Sequence, residues 1–156
     1  MAERIIDKNK LNNMMQAAWG MASESPCLKK RVGSVLYEVT SGIIGTGFGG
    51  PTVPCTECVR KTYEWQQDGC WSIHSEYRAI YDCLDVMRYR PHDLKCLGPN
   101  LVMFVTHGPC DQCLKAMDFF NIRHCVFDTD YHNDYSKWDG RIKVYKLEDL
   151  NELVIP

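Results

Sequence analysis

Residues 73–80 read IHSEYRAI and residues 106–113 read THGPCDQC. Together they give a His-x-Glu motif followed later in the chain by Pro-Cys-x-x-Cys. His74, Cys110 and Cys113 offer one imidazole and two thiolates, a ligand set that zinc accepts, and three protein ligands leave a fourth position open for water. We therefore predict a catalytic rather than a structural zinc site. Glu76 lies two residues past His74, so its carboxylate is expected to reach that water without binding the metal.

The combined pattern is far more specific than either half. A lone His-x-Glu or a lone Cys-x-x-Cys carries little information, whereas the two in this order, with proline before the first cysteine, are typical of zinc-dependent nucleobase deaminases. Two alternatives stay open. In the first, the four side chains have no common function and are a buried histidine, a surface glutamate and two core thiols. In the second, the motif forms a closed structural zinc site.

Length and composition predict a single domain over residues 1–156, with 45% hydrophobic and 24% charged residues. The net charge of -2 gives no overall basic field for nucleic acid, which makes a polynucleotide substrate an unfavoured alternative. Residues 1–8 have no apolar signal core, and no run approaches the length of a membrane span, so we expect a cytoplasmic protein. The nine cysteines are then expected to be reduced rather than paired in disulfides.

The pattern of apolar residues predicts alternating strands and helices. Two strand–helix–strand units indicate a mixed sheet with helices on both faces, that is, an α/β three-layer sandwich. We expect the two helices that carry the metal ligands to begin side by side. The predicted helices are 9–23, 72–87, 110–120 and a weak one at 147–153; the predicted strands are 32–39, 43–48, 101–106, 124–128 and 142–145.

Zinc lowers the pKa of its water to about 7 and so provides hydroxide near neutral pH. Hydrolytic deamination also needs a proton at the ring nitrogen and another at the departing amine. Glu76 is expected to transfer both, first as a base and then as an acid.

The chain resembles the zinc-dependent cytidine and deoxycytidylate deaminases, especially compact phage and bacterial deoxycytidylate (dCMP) deaminases. The residues that carry this resemblance are 25–33, 45–51, 74–76, 105–113, 121–127 and Tyr131. It implies a central five-stranded sheet and the conversion of dCMP to dUMP for thymidylate synthesis. It also implies a homo-oligomer, often a hexamer, activated by dCTP and inhibited by dTTP, in the host cytoplasm if the chain is phage-encoded.

The resemblance further implies two sets of binding residues. For substrate these are Lys29, Phe48, Gly49, Ser75, Thr106, His107 and Tyr131, with Lys30 and Arg31 as contacts to phosphate or effector. On charge alone, the basic residues 29–31 are equally a solvated turn, and His107 is equally a packed loop histidine. Relatives often hold a second, structural zinc, and here Cys27, Cys55, Cys58 and Cys70 make up a four-thiolate set; the alternative is that Cys27 and Cys70 are buried thiols.

Two positions depart from the family pattern. Gly49 stands where the family's glycine loop usually has an asparagine. Arg78 stands where the family usually has a second asparagine, two residues after the glutamate of His-x-Glu. Arg78 is expected either to bind a phosphate or to pair with Asp82. These departures leave open the same chemistry on dCTP, on a base-modified deoxycytidylate or on a purine nucleotide. A polynucleotide-editing deaminase and a non-catalytic zinc module remain as further alternatives.

Overall fold

The computed structural model describes residues 3–28, 30–59 and 70–156. The strands of this part are β1 Arg4–Asp7, β2 Gly33–Glu38, β3 Gly42–Phe48, β4 Leu101–His107, β5 His124–Thr129, β6 Lys143–Lys146 and β7 Glu152–Ile155. The α-helices are α1 Lys8–Ser23, α2 Ser75–Asp85, α3 Pro91–Leu97 and α4 Asp111–Phe119.

In the described chain, five strands form the central sheet in the order β3-β2-β4-β5-β6. β2 is antiparallel to both β3 and β4, whereas β4, β5 and β6 run parallel. The prediction of a mixed five-stranded sheet is therefore confirmed. β4 lies in the centre, and all of Leu101–Val105 is fully buried, as expected for an apolar strand covered on both faces.

Helices cover both faces of this sheet, which confirms the three-layer prediction. On one face, Leu11, Met15 and Ala18 of α1 pack against a cluster of buried residues that includes Val35 and Phe104. On the other face, α2 and α4 contribute the buried residues Ala79, Ile80, Cys83, Cys113, Leu114 and Met117. The predicted amphipathic helix 9–23 thus buries its apolar stripe as its spacing indicates.

Glycines in β3 set how closely α2 approaches the sheet. A Cβ atom on Gly47 would lie 2.4 Å from the carbonyl oxygen of Ser75, and one on Gly45 would lie 2.3 Å from that of Ala79. Any side chain at these positions would push the helix away, so the two glycines allow the N-terminal part of α2 to pack closely against the sheet. That turn carries the residues just after His74.

Three parts of the fold differ from the sequence-based expectation. Residues 147–153 form a short 3-10 turn, Leu147–Asp149, followed by β7, so the predicted terminal helix was wrong. β7 pairs with β1, a strand that the apolar pattern did not indicate. Pro91 begins α3 rather than merely following the end of α2.

Candidate metal centre and active-site pocket

His74, Cys110 and Cys113 come together at the edge of the sheet where α2 and α4 begin. His74 is the N-cap of α2, and Cys110 is the N-cap of α4, which follows β4 directly. The imidazole Nδ1 of His74 lies 3.2 Å from the Cys113 sulphur and 3.4 Å from the Cys110 sulphur. Within the described residues, these three form the only group of three or more potential ligands whose donor atoms all lie within 4.8 Å of one another.

This spacing fits a zinc ion. With zinc–sulphur bonds of about 2.3 Å and zinc–nitrogen bonds of about 2.0–2.1 Å, tetrahedral ligand atoms lie roughly 3.5 Å apart. The two thiols differ, because burial raises the pKa of Cys113 well above its usual value. The pKa of Cys110 is lowered to about 4, chiefly by its hydrogen bond with Cys113 and also by His74, whereas burial acts to raise it. One imidazole and two sulphurs are the donor set for an open zinc site.

Glu76 is 4% exposed, and a line of two buried hydroxyls leads to its carboxylate. Ser75 Oγ donates to Glu76 Oε1 at 2.9 Å, and Ser34 Oγ lies 2.5 Å from Ser75 Oγ. A carboxylate only accepts, so the single Ser75 proton is committed to Glu76, and Ser34 must donate to Ser75. Burial raises the pKa of Glu76, against the lowering effect of His74.

A pocket opens to solvent over this centre. Its wall includes two of the three candidate ligands, the buried Glu76, one lysine and one tyrosine. The lining residues are Lys30, Val32, Gly49, Ser72, His74, Ser75, Glu76, His107, Gly108, Cys110 and Tyr131. The Lys30 ammonium lies 5.2 Å from the centroid of the Tyr131 ring.

Residues 8–129 match the family model described as the cytidine and deoxycytidylate deaminase zinc-binding region. The chain belongs to this deaminase family. The match covers α1 through β5 and includes His74, Cys110 and Cys113, which form a candidate zinc site within this zinc-binding region.

Individual relatives agree with this membership. The deoxycytidylate deaminase of Schizosaccharomyces pombe is 27% identical over 129 residues, covering 77% of this chain and 37% of the yeast protein. The chain thus spans just over a third of that relative's length.

Two solved structures share the fold. The dCMP deaminase of cyanophage S-TIM5, in complex with dCMP and dUMP, superposes with a TM-score of 0.64 at 18% identity, covering 86% of this chain and 94% of the phage chain. A diaminohydroxyphosphoribosylaminopyrimidine deaminase/reductase of Thermotoga maritima gives a TM-score of 0.61 at 19% identity over 89% of this chain and 36% of that chain.

Of the substrate-binding residues expected from the sequence, Gly49, Ser75, His107 and Tyr131 line the pocket. The described pocket wall does not include Phe48 or Thr106. Thr106 is fully buried beneath His107, and Lys29 lies outside the described residues. Among the expected phosphate or effector contacts, Lys30 lines the pocket and Arg31 is exposed away from it.

Arg78 contacts the glycine loop rather than Asp82, and its binding to a phosphate stays a prediction. Its Nη2 donates to the carbonyl oxygen of Gly50 at 3.1 Å, and its guanidinium lies 5.1 Å from the centroid of the Phe48 ring. Asp82 accepts instead from the backbone of Thr46 at 2.9 Å. Gly49 lines the pocket and lies between Phe48 and Gly50, so the contacts of Arg78 with these two residues support that part of the pocket wall.

The four cysteines proposed for a second zinc all lie in the described ranges, and no disulfide joins them. In the part of the chain that the structure describes, they do not form a group of three with sulphur atoms within 4.8 Å of one another. The second zinc, with Cys27, Cys55, Cys58 and Cys70 as its ligands, therefore stays a prediction.

The segment 131–138 contacts the turn before α4 and so supports the candidate metal centre, a role that the sequence did not indicate. Tyr135 donates to the carbonyl oxygen of Pro109 at 2.8 Å. Asp111, the first residue of α4, accepts from Asn133 at 3.0 Å and from Trp138 at 3.1 Å. These bonds fix the turn that presents Cys110. The signal available in the sequence was the run of polar and aromatic side chains shortly after β5.

Proposed function

We propose that this chain catalyses the hydrolytic deamination of dCMP to dUMP and ammonia, which feeds thymidylate synthesis. The observation that carries the proposal is the donor set of His74, Cys110 and Cys113, two of which line an open pocket, in a chain that matches the deaminase family over residues 8–129. Support for dCMP as the substrate comes from the yeast relative, a deoxycytidylate deaminase, and from the phage dCMP deaminase with its bound dCMP and dUMP.

Zinc held by these three residues would act as a Lewis acid that lowers the pKa of water and makes hydroxide available near neutral pH. We assign the proton transfers to Glu76, because its buried carboxylate lines the same pocket as the ligands. It takes one proton from the attacking water and gives it to the ring nitrogen. It then takes the second proton, from the new hydroxyl on the base, and gives it to the amine as the carbon–nitrogen bond breaks. The water oxygen ends on the base as a carbonyl, and the amino nitrogen leaves as ammonia.

The rest of the pocket suits a nucleotide. Lys30 supplies a positive charge, Tyr131 supplies a ring face, and Gly49 presents backbone without a side chain. We propose that these three groups, with His107, bind the phosphate, base and sugar. Phe48 and Thr106 support that wall and His107 from beneath.

From the family resemblance we also propose a homo-oligomer, a hexamer, that is activated by dCTP and inhibited by dTTP.

Among the helices of the described residues, none has the length and apolar character that a membrane span requires. We propose a cytoplasmic location, because its reducing conditions keep the thiol ligands available for zinc.

The test is deamination by the purified zinc-loaded protein, followed by ultraviolet absorbance. The substrates are dCMP, deoxycytidine, dCTP, a 5-substituted dCMP and dAMP, each with and without dCTP or dTTP as effector. The proposal predicts the highest kcat/KM for dCMP and loss of turnover on metal removal. A higher kcat/KM for another nucleotide would overturn the substrate, and no turnover by a folded, zinc-bound protein would overturn the proposed activity.

A further inference from the structure

Three side chains from three elements come together beside the pocket residue His107, which ends β4: His107 itself, Trp19 of α1 and Asp128 of β5. The indole Nε1 of Trp19 donates to Asp128 Oδ2 at 2.8 Å. The rings of Trp19 and His107 meet edge to face, with centroids 5.6 Å apart and planes inclined by 61°. Trp19 is 40% exposed, so burial in the core does not account for its place on α1. Its contacts are instead to a pocket residue and to the carboxylate beside it.

The hydroxyl of Thr106 decides which ring nitrogen of His107 carries hydrogen. The backbone N–H of Gly33 donates to Thr106 Oγ1 at 3.1 Å, and Thr106 Oγ1 lies 2.9 Å from His107 Nδ1. Thr106 is fully buried, so its own hydroxyl proton needs an acceptor. Among the described residues, His107 Nδ1 is the one acceptor recorded for it. Nδ1 is therefore the bare nitrogen, and the ring hydrogen sits on Nε2.

The surroundings of His107 agree with a singly protonated ring. Burial, with Lys30 as the second cause, lowers its pKa to about 4, so the imidazole is neutral at neutral pH. Asp128 raises the pKa of His107, but less than burial and Lys30 lower it. One carboxylate oxygen of Asp128 already accepts the indole hydrogen of Trp19. Since Nδ1 faces Thr106 and His107 lines the pocket, Nε2 is the nitrogen that remains for a ligand.

We infer that Thr106, Trp19 and Asp128 hold His107 as a fixed Nε2–H donor, which receives an oxygen acceptor of the ligand in the pocket. Thr106 sets the tautomer, and Trp19 with Asp128 holds the ring plane. Trp19 is thus a positioning residue for ligand binding. The acceptor is a phosphate or sugar oxygen, which the kinetic arms below distinguish. The statement about the ligand rests on the proposed function, whereas the statement about the tautomer does not.

Nitrogen-15 NMR of the zinc-loaded protein tests the tautomer directly, with His107→Gln to assign the ring signals. We expect an unprotonated shift for Nδ1 and a protonated one for Nε2. Thr106→Val should remove this bias, and Thr106→Ser, which keeps the hydroxyl, should restore it. Thr129→Val, on the strand next to His107, is the matched control and should leave the signals unchanged. Hydrogen on Nδ1 in the unmodified protein would overturn the inference, whatever the enzyme's activity.

Trp19→Phe tests the positioning role, because it keeps a ring and removes the donor to Asp128. We expect KM for dCMP to rise about fivefold, the effect of one weakened hydrogen bond, with kcat within about twofold. An equal rise for deoxycytidine assigns the acceptor to the sugar, and a rise for dCMP alone assigns it to the phosphate. An unchanged KM for both substrates, or an equal fall in kcat, would refute the positioning role of Trp19.

Discussion

Replacing Ser75 with alanine tests how the carboxylate of Glu76, the proposed proton carrier, is held. Ser75 donates to Glu76 Oε1 at 2.9 Å in a site where both residues are almost fully buried. A hydrogen bond to a charged group contributes about 1.5–3 kcal/mol, and each 1.4 kcal/mol changes a rate about tenfold. If this bond orients Glu76 for its proton transfers, Ser75→Ala should lower kcat for dCMP by about 10- to 100-fold, with little change in KM.

Ser34→Ala is the matched control. It removes a neighbouring buried hydroxyl but leaves Ser75 able to donate to Glu76, so kcat should fall by less than about threefold. Stability should respond differently. Ser75→Ala leaves the Ser34 hydroxyl buried without its partner and should lower the free energy of unfolding by about 1–3 kcal/mol. The double variant removes both hydroxyls and should recover part of that loss without recovering kcat.

The assay is steady-state deamination of dCMP, with bound zinc measured by mass spectrometry and unfolding measured in urea. Zinc content should stay at the wild-type level in all three variants, because none of the replaced side chains is a ligand. A Ser75→Ala protein that keeps wild-type kcat within twofold, with native zinc and fold, would refute the argument. Equal losses in Ser34→Ala and Ser75→Ala would also refute it, since the effect would then follow packing rather than the bond to Glu76.

Three further predictions address the loop, the metal and the far end of the sheet. Arg78→Ala removes the contacts to Phe48 and Gly50 and should lower the free energy of unfolding, measured in urea, by about 1–2 kcal/mol. A change below about 0.3 kcal/mol would show that these contacts do not stabilise the glycine loop. Cys113→Ala should abolish stoichiometric zinc binding, measured by mass spectrometry, and retained zinc would exclude Cys113 as a ligand. Burial, with Lys143, lowers the pKa of His124 to about 4, so the unfolded chain binds the extra proton and stability falls as pH drops from about 6.5 toward 4. His124→Gln should reduce the loss of unfolding free energy between pH 7 and pH 5 by about 1–2 kcal/mol, and an unchanged loss would show that His124 is not buried as a neutral ring.

The zinc ligands were predictable because metal chemistry restricts them severely. Only certain side chains bind zinc, and the motif spacing places His74 and Cys110 at the starts of two helices that follow the sheet. The strands of the central sheet and the helices α1, α2 and α4 were also predictable. The apolar residues of α1 have helical spacing, whereas β4 is a short, continuous apolar run. The sequence could also show that Gly49 and Arg78 are unusual for the family.

The remaining parts depend on contacts between residues far apart in the chain. Ser75 was expected to bind substrate, and nothing local reveals that its hydroxyl bonds to Ser34 of β2 and to Glu76. The helical spacing of α1 likewise does not reveal that the indole of Trp19 reaches Asp128 of β5. Leu147, Leu150 and Leu153 have helical spacing, yet pairing with β1 at the opposite end of the chain draws the last residues into a strand.

The central claim is a zinc-dependent deamination of dCMP in which Glu76 moves the protons. The most direct measurement compares dCMP turnover by zinc-loaded wild type with that of Glu76→Gln, with zinc content and fold checked in both. We predict turnover in the wild type and a loss of at least about 100-fold in kcat for the variant, at equal zinc content. Equal turnover by the two proteins, or no turnover by zinc-bound wild type, would contradict the account.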